Sequence, residues 1–582
     1  MTAESNAAPV SIPVENGAEA FLELLNANGV KYIFINPGSD IIPILEASAK
    51  FKLLSRKSPE LILCQHESLA LTAAHGYFMA THKPQAVLVH LDVGTLQVGG
   101  ALHNAQRGNA GIVFCAGRPP WTFEGEMPGG RNILVDFRTE QFDQAAPVRQ
   151  YVKWDYDLRC NENIQHVVQR AFQVAGTEPY GPVYLTFPRE LLMQKMTSVK
   201  PLPLNQYGPS ITPGADPAAI AEAANLLARA RIPLFIAGSI GRHQHAVAPF
   251  IRLAEAVAAR VVSASVRMNF PNTHPLWAES SVNPYLKDAD VILMVDTTVP
   301  YAPVQARPSP SARIISIDID PIKAEMPTYS FPSDVRIQAD SSKAVPALLD
   351  TVLAAMDSQS RAQVKERFER LKSEDTARRQ KWQASALAKS SQRPISGEWL
   401  ARCLSQEMDE DMVIVHEAIG YWTDVGRHLP RTEPGTEFRA DGSSLGWGLG
   451  CALGVKFALK EKTVVCLTGD GSYLYGYPNQ AFWTAANYGA PFLDIVCNNG
   501  GYIAMDRILD TIYGPNSYSA KLPRRLATSF QPSPDYAMIA RGGGAWAEKV
   551  EDPARLQSAI REGLKRVREG QPAVLDVVVA RG

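Results

Sequence analysis

Two short polar clusters, each at the end of an apolar run, carry the residue types that could hold a phosphorylated ligand. Residues 463–471 read TVVCLTGDG, and residues 492–501 read FLDIVCNNGG. Asp470 offers a hard carboxylate oxygen, and Asn498 or Asn499 a carboxamide oxygen. Gly469 and Gly471 let backbone N–H groups approach a phosphate closely. A magnesium ion takes few protein oxygens and completes its shell with phosphate and water, which suits this donor set. A lone Gly-Asp-Gly is explained equally well by a tight turn. Gly-Asp-Gly followed after 26 residues by Asn-Asn, with both clusters at strand tips, is far more specific. A third polar group, Glu67, follows the apolar run LILC and opens the helical pattern ESLALTAAHGYFMAT. Taken alone it reads as a carboxylate stabilised by the dipole at a helix start.

Such residues need an open α/β sheet, where ligands gather outside the carboxyl ends of parallel strands. The sequence supplies the strands. Apolar runs at 61–64, 86–91, 112–116, 183–187, 233–237, 291–295, 313–317, 412–415, 463–468, 492–497 and 574–579 alternate with helical patterns. Runs that are apolar on both faces suit parallel strands covered by helices on both sides. A further strand at 31–35 leads into NPGSD rather than the G-x-G-x-x-G of a dinucleotide fold. The fold class is therefore α/β, with several doubly wound parallel sheets. At 582 residues the chain exceeds one hydrophobic core. Residues 196–217, with five prolines, and 357–396, rich in charge, Ser and Gln, read as linkers. They divide the chain into blocks at 1–195, 196–375 and 376–582. The first and third blocks could share an architecture.

Composition narrows the function classes. Lys plus Arg number 58 and Asp plus Glu 59, so no basic face for nucleic acid or membrane stands out. The N-terminus lacks a basic start and an apolar core, and no apolar run reaches the ~18 residues of a membrane span. The seven cysteines form no C-x-x-C pair and sit mostly in strand-like runs, as buried thiols of a cytoplasmic protein would.

The segment GDGSYLYGYPNQAFWTAANYGAPFLDIVCNN resembles the signature of thiamine-diphosphate enzymes, in the group of acetolactate synthases and benzoylformate decarboxylases. YLYGYP is about two residues longer than the usual version, which leaves Asn498 and Asn499 both open as metal ligand. The resemblance implies three doubly wound domains: pyrimidine-binding, middle and diphosphate-binding. It implies that Asp470, Asn499 and the Gly501 carbonyl hold Mg²⁺, and that Gly469, Gly471 and Ser472 meet the diphosphate. HEAIGYW and ADGSSLGWGLGCALGV resemble the stretches that flank the cofactor. By that likeness Glu417, Ala418 and Ile419 lie near the diphosphate and Ser443 near the aminopyrimidine. Leu445 would force the cofactor into its bent shape. QHESLALTAAHGY resembles the family's glutamate segment, so Glu67 would bind N1′ of thiamine and promote loss of the C2 proton. The ylide so formed attacks a carbonyl, and the thiazolium then serves as electron sink for a carbanion–enamine.

AVLVHLDVGTLQVGG and the residues after it are similar to the same region of benzoylformate decarboxylase. His90 falls on a pocket histidine and becomes an acid/base candidate, with Gln97 on the loop over the thiazolium. Arg118 would pair a substrate carboxylate or a structural acid. Trp121, Trp422 and Tyr502 are pocket-wall candidates. The family places its cofactor between two subunits, which implies a homodimer or homotetramer. The resulting expectation is an acetolactate-synthase-like 2-oxo acid decarboxylase and carboligase, with an aldehyde or oxo acid as acceptor. A C–C lyase acting on a 2-hydroxyacyl or acyloin substrate is the alternative. The sequence stops after LDVVVARG without the segment that covers CoA in acyl-CoA members. The stretch VDTTVPYAPVQARPSPSA lacks the G-x-R-F-D pattern of FAD-binding synthases, which counts against FAD.

Overall fold

The computed structural model describes residues 10–263 and 266–581. Three parallel sheets organise it, beside one short antiparallel pairing of residues 12–13 with 198–199. The first contains β1 (Tyr32–Asn36), β2 (Glu60–Leu63), β3 (Gln85–Val89), β4 (Ile112–Arg118), β5 (Asp155–Asp157) and β6 (Val183–Pro188). Its spatial order is β2-β1-β3-β4-β6-β5. The second contains β7 (Pro233–Ala237), β8 (Arg260–Ser263), β9 (Val291–Val295), β10 (Arg313–Asp318) and β11 (Val335–Gln338), in the order β8-β7-β9-β10-β11. The third contains β12 (Met412–Glu417), β13 (Glu437–Arg439), β14 (Thr463–Gly469), β15 (Leu493–Asn498), β16 (Trp546–Val550) and β17 (Ala573–Val578). Its order, β13-β12-β14-β15-β17-β16, repeats that of the first sheet strand for strand. The shared architecture of the outer blocks is thus real, although no sequence repeat announces it.

All eleven apolar runs are strands, shifted by at most two residues at either end. β7 and β9 are buried at every position, as strands covered on both faces must be. The sequence reading passes over β5, β8, β11, β13 and β16. Each is a sheet edge. An edge strand has one strand neighbour and tolerates polar residues, so the continuous apolar signal fades. In β11 buried and exposed residues alternate.

The first and third domains share one hydrophobic core. Two helices form its centre: α1 (Glu67–Thr81) and, after the long helix α2 (Ser358–Ala388), α3 (Trp447–Ala458). They approach through glycine. A Cβ on Gly454 would lie 1.9 Å from the Ala73 carbonyl oxygen, and one on Gly450 1.8 Å from Thr72 Oγ1. Trp447 Nε1 donates to His75 Nδ1 at 3.2 Å across the same contact. This close passage between helices accounts for the Gly- and Ala-rich composition of 446–454.

Helix α2 corrects the second linker reading. Its 31 residues form one continuous helix, and the block boundary at 375 falls inside it. A helix polar on nearly all sides gives no amphipathic stripe to read. It is held by specific anchors instead. Asp375 binds Arg378 and Arg379 at 2.7 and 2.6 Å, Arg367 donates to the carbonyls of Ala230, Arg231 and Val257, and Trp382 packs on Trp277. All seven cysteines are free and six are buried. Among the described residues no helix is long and apolar enough to cross a membrane.

Candidate active site

The polar clusters occupy equivalent places in the two outer domains. In each sheet the strand order first reverses beside the opening strand, between β1 and β3 in the first and between β12 and β14 in the third. Connections leave such a point in opposite directions, which opens a crevice at the carboxyl ends. β1 ends at Asn36 and leads into Pro37-Gly38-Ser39-Asp40, while β3 runs into His90. β12 ends at Glu417, β14 at Gly469, and β15 at Asn498.

In the third domain Asp470 opens the short helix α4 (Asp470–Tyr475) and is 2% exposed. One carboxylate oxygen accepts the Gly471 N–H at 2.8 Å. The other accepts those of Gly500 and Gly501 at 2.8 and 3.0 Å. Burial nonetheless holds its pKa above the ordinary carboxylate value. The turn that supplies these donors has Gly500 at φ +74° and Gly501 at φ +153°. Arg581 clamps it from behind, donating to the carbonyls of Asn499 and Gly500 at 2.9 and 2.8 Å and to Asp506 at 3.0 Å.

The two asparagines differ sharply. Asn498 is spent internally: its Nδ2 donates to the buried Asp576 at 2.9 Å, and its Oδ1 receives Ser533 Oγ at 3.4 Å. Asn499 Oδ1 is buried with no hydrogen-bond partner. A buried carbonyl oxygen without a donor marks a place where a cation or water belongs. The donor set of Asp470, Asn499 and Gly501 therefore fits a hard divalent ion. The Gly501 carbonyl accepts only the Ile503 N–H at 3.0 Å and keeps a second lone pair.

The surrounding residues sort less evenly. Ser472 Oγ reaches the Glu417 carbonyl at 3.4 Å, beside Ala418. The Glu417 side chain turns away from the crevice and caps α3. It accepts the N–H groups of Gly446, Trp447 and Gly448 at 2.8, 3.1 and 2.6 Å, and burial lifts its pKa to about 7. Ile419 and Trp422 stand 40% and 37% exposed, on the same rim. The loop carrying Ser443 and Leu445 is fastened to the first domain. Asn104 exchanges two hydrogen bonds with Ser444, at 2.8 and 3.1 Å, and the Ser443 N–H meets His103 Nε2 at 3.3 Å. Tyr502 lies over Gly471, where a Cβ would come within 2.6 Å of its ring, and packs edge-on against Phe530.

In the first domain Glu67 is the first residue of α1 and is 9% exposed. Asn36 Nδ2 donates to its Oε1 at 2.9 Å, which fixes one oxygen and leaves the other free. A Cβ on Gly94 would lie 3.3 Å from the same oxygen, so glycine keeps the approach open. His90 stands nearby, its Nδ1 bonded to the buried Asp40. Gln97 points its side chain to the surface, and its carbonyl takes the Ser68 hydroxyl. Arg118 pairs with Asp157, so of its two expected roles the structural acid is the one occupied. Trp121 is 42% exposed.

Sequence reading passed over Asn36, Asp40, Asn104 and Arg581. Asn36 and Asp40 carried a signal: polar residues directly at the tip of an apolar strand, flanking Pro-Gly. Asn104 and Arg581 carried none, because backbone carbonyl and amide partners leave no pattern.

The family profiles for the thiamine pyrophosphate enzyme N-terminal, central and C-terminal domains match residues 15–146, 220–348 and 418–577. The chain belongs to the thiamine pyrophosphate (thiamine diphosphate) enzyme family, and its outer domains are the family's cofactor-binding domains. Within that family it falls among the decarboxylases and acetolactate synthases. Benzoylformate decarboxylase of Pseudomonas aeruginosa is 26% identical over 574 residues, covering 96% of this chain and 98% of that protein. Acetolactate synthase isozyme 3 large subunit of Escherichia coli is 25% identical over 591 residues, covering 97% and 95%. The solved benzoylformate decarboxylase of Polynucleobacter necessarius superposes with a TM-score of 0.77 at 20% identity, covering 98% and 99%, and shows the same fold.

Proposed function

We propose that the protein is a thiamine-diphosphate- and Mg²⁺-dependent 2-oxo acid decarboxylase with carboligase capacity. The observation that carries this reading is that Glu67, held by Asn36, and His90, held by Asp40, share the first domain's crevice, matched by Asp470 and the unpartnered Asn499 Oδ1 at the third's. Bound thiamine diphosphate supplies a nucleophilic carbon for the 2-oxo group and a sink for the electron pair left by CO₂. The chain's own residues do the rest. Asp470, Asn499 and Gly501 hold the metal, while Gly469, Gly471 and Ser472 offer backbone and hydroxyl donors to the diphosphate. Glu67, steadied by Asn36, holds the proton exchanged with the pyrimidine ring. Leu445 and Ser443 support that ring from a loop locked by Asn104. His90 exchanges a proton with the substrate. Gln97, Ile419, Trp422 and Tyr502 shape the approach, and Glu417 and Ala418 set the floor through their backbone.

The active unit in this reading is a homo-oligomer whose sites combine the first domain of one chain with the third of another. Both crevices are rimmed by exposed apolar side chains. Val93 and Leu96 stand beside the first, 44% and 58% exposed, and Leu474, Tyr475 and Met505 beside the third, at 38%, 56% and 47%. Apolar rims of this kind mark surfaces that another surface covers.

Flavin has no part in it. The middle domain's own crevice, between β7 and β9, is filled by Arg242, which binds Glu178 at 3.0 Å and Asp296 at 2.5 Å. Asp340 adds a further carboxylate there, 3.7 Å from His243. A dinucleotide pyrophosphate would meet that acidic lining with Arg242 already paired to two carboxylates and Lys323 to Asp318.

The test is incubation with thiamine diphosphate, Mg²⁺ and a panel of 2-oxo acids, with and without aldehyde acceptors, measuring CO₂, aldehyde and acyloin. CO₂ release from at least one acid is expected. Release from none, with cleavage of an acyloin or 2-hydroxyacyl substrate instead, would replace the decarboxylase by a lyase.

A further inference from the structure

Asp40 belongs to the short turn Ser39–Ile41 after β1, and its side chain is 1% exposed. One carboxylate oxygen bonds His90 Nδ1, and the other accepts the Leu91 N–H at 3.3 Å. Two glycines make room for the pair. A Cβ on Gly38 would sit 1.9 Å from His90 Nδ1, and a Cβ on Gly117 1.9 Å from Asp40 Oδ2. No other residue type fits at either position without displacing the imidazole or the carboxylate. With Nδ1 engaged by Asp40, Nε2 is the nitrogen left for a substrate, on a side chain that is 23% exposed.

The charges around the ring favour its cationic form. Asp40, Asp92 and Glu67 all act on it, and Asp92 is anchored by Gln141 Nε2 at 3.1 Å. The cation beside this turn, Arg189, meets the Ser39 carbonyl at 3.3 Å and is already paired with Asp136 at 3.4 Å. The hydrogen bond that His90 Nδ1–H donates to the Asp40 carboxylate raises the His90 pKa above its ordinary value against the opposing effect of burial.

We infer that Asp40 is a positioning residue that keeps His90 as an imidazolium with Nε2–H available, and so makes His90 the proton donor that ends turnover as aldehyde release. This rests on the decarboxylase reading above. In the step itself the Nε2–H bond breaks and a C–H bond forms at the carbon that lost CO₂. The electron pair for the new bond is the one CO₂ left behind, and water later returns a proton to Nε2. A weaker donor lengthens the life of that carbon as a nucleophile. Carbon–carbon bond formation with an added aldehyde then competes better.

The test compares wild type with Asp40→Asn, which keeps the shape and the hydrogen-bond acceptor but removes the charge. Asp40→Glu serves as the charge-retaining control. Protein labelled with [¹³Cε1]histidine is titrated by NMR, the His90 signal being the one missing in His90→Gln. In parallel, the aldehyde-to-acyloin ratio and the pH profile of aldehyde release are measured. In wild type His90 should titrate above 6.5, and Asp40→Asn should lower that midpoint by about one pH unit or more. Aldehyde release needs the protonated ring, so it falls as pH rises through the His90 pKa. That fall should move to lower pH in Asp40→Asn, with several-fold more acyloin, and return towards wild type in Asp40→Glu. A wild-type His90 that titrates at or below 6.5 overturns the inference without any variant. So does an active Asp40→Asn with unchanged pH profile and product ratio. A high His90 pKa with no CO₂ from any acid overturns the donor role through failure of the decarboxylase reading.

Discussion

The two adjacent asparagines at the tip of β15 make opposite predictions, and the contrast tests the metal site directly. Asn499→Ala removes the one buried oxygen in the turn that lacks a donor. Even changes one shell further out cost roughly 10–100-fold in metal affinity. Loss of a direct ligand should therefore cost at least about 100-fold, or ~2.7 kcal/mol. The free protein should lose little stability beyond the contact of the Asn499 amide with the Tyr421 hydroxyl, since Oδ1 bonds to nothing. Asn498→Ala removes the Nδ2 donor to Asp576, whose other oxygen already has no partner. That should cost about 1–3 kcal/mol in the free protein. The sign of its pH dependence follows from Asp576. Burial lifts that carboxyl to about 6, and the Asn498 bond opposes the rise. Removing the bond raises the folded pKa further from its unfolded value near 4. Ionising the group then costs the fold more, so Asn498→Ala should lose more stability at pH 8 than at pH 5. The assay is thiamine diphosphate binding by calorimetry across a Mg²⁺ series, beside thermal melts in EDTA. A variant pattern in which Asn498→Ala raises the Mg²⁺ requirement and Asn499→Ala does not would refute the assignment.

Three further outcomes are expected. Glu67→Gln should slow deuterium exchange at C2 of bound thiamine diphosphate by about 10²-fold or more while leaving its binding intact; exchange at the wild-type rate would remove Glu67 from the chemistry. Asp494, wholly buried and held by Thr468 Oγ1 at 3.0 and 3.2 Å, has its pKa pushed up to about 8. Its ionisation opposes folding as pH rises from about 4 towards 8, so Asp494→Asn should be the more stable protein at pH 7.5 and lose that advantage towards pH 4.5, as melts at the two pH values would show. Gly454→Ala should destabilise the contact between α1 and α3 by about 1–3 kcal/mol or more, because the new methyl meets the Ala73 carbonyl at 1.9 Å; an unchanged melting temperature would mean the helices can part without cost.

How much of this was legible in sequence follows from what each feature needs. Central strands announce themselves because burial on both faces demands unbroken apolar runs, and all eleven such runs are strands. Edge strands such as 335–338 and 546–550 need only one apolar face. Helix α2 hides for the related reason that it is held through arginine bonds to carbonyl oxygens and through Trp382 on Trp277 rather than by a core-facing stripe. Asp470 and Glu67 each have a plain structural reading on their own, a tight turn and a helix start, and they stand out only because the spacing to Asn-Asn and the likeness of the surrounding segments to one family point to a ligand. The choice between Asn498 and Asn499 was not legible, since it depends on Asp576, which lies 78 residues away in sequence from Asn498.

The repeated strand order adds a constraint that neither half of the chain shows alone. Both outer sheets reverse at the same step, and each carries its chemistry at that step: Asn36, Asp40, Glu67 and His90 in one, Asp470 and Asn499 in the other. The third domain's crevice offers oxygens and backbone amides, which suit a metal and a diphosphate. The first domain's offers two acids and an imidazole, which suit proton transfer. A cofactor with a charged tail and a reactive head can use both only by lying between two such crevices. That division explains why Gly-Asp-Gly and Asn-Asn specify a cofactor and leave the reaction open. In our proposal the outcome of the reaction is set on the other sheet, where Asp40 and His90 stand.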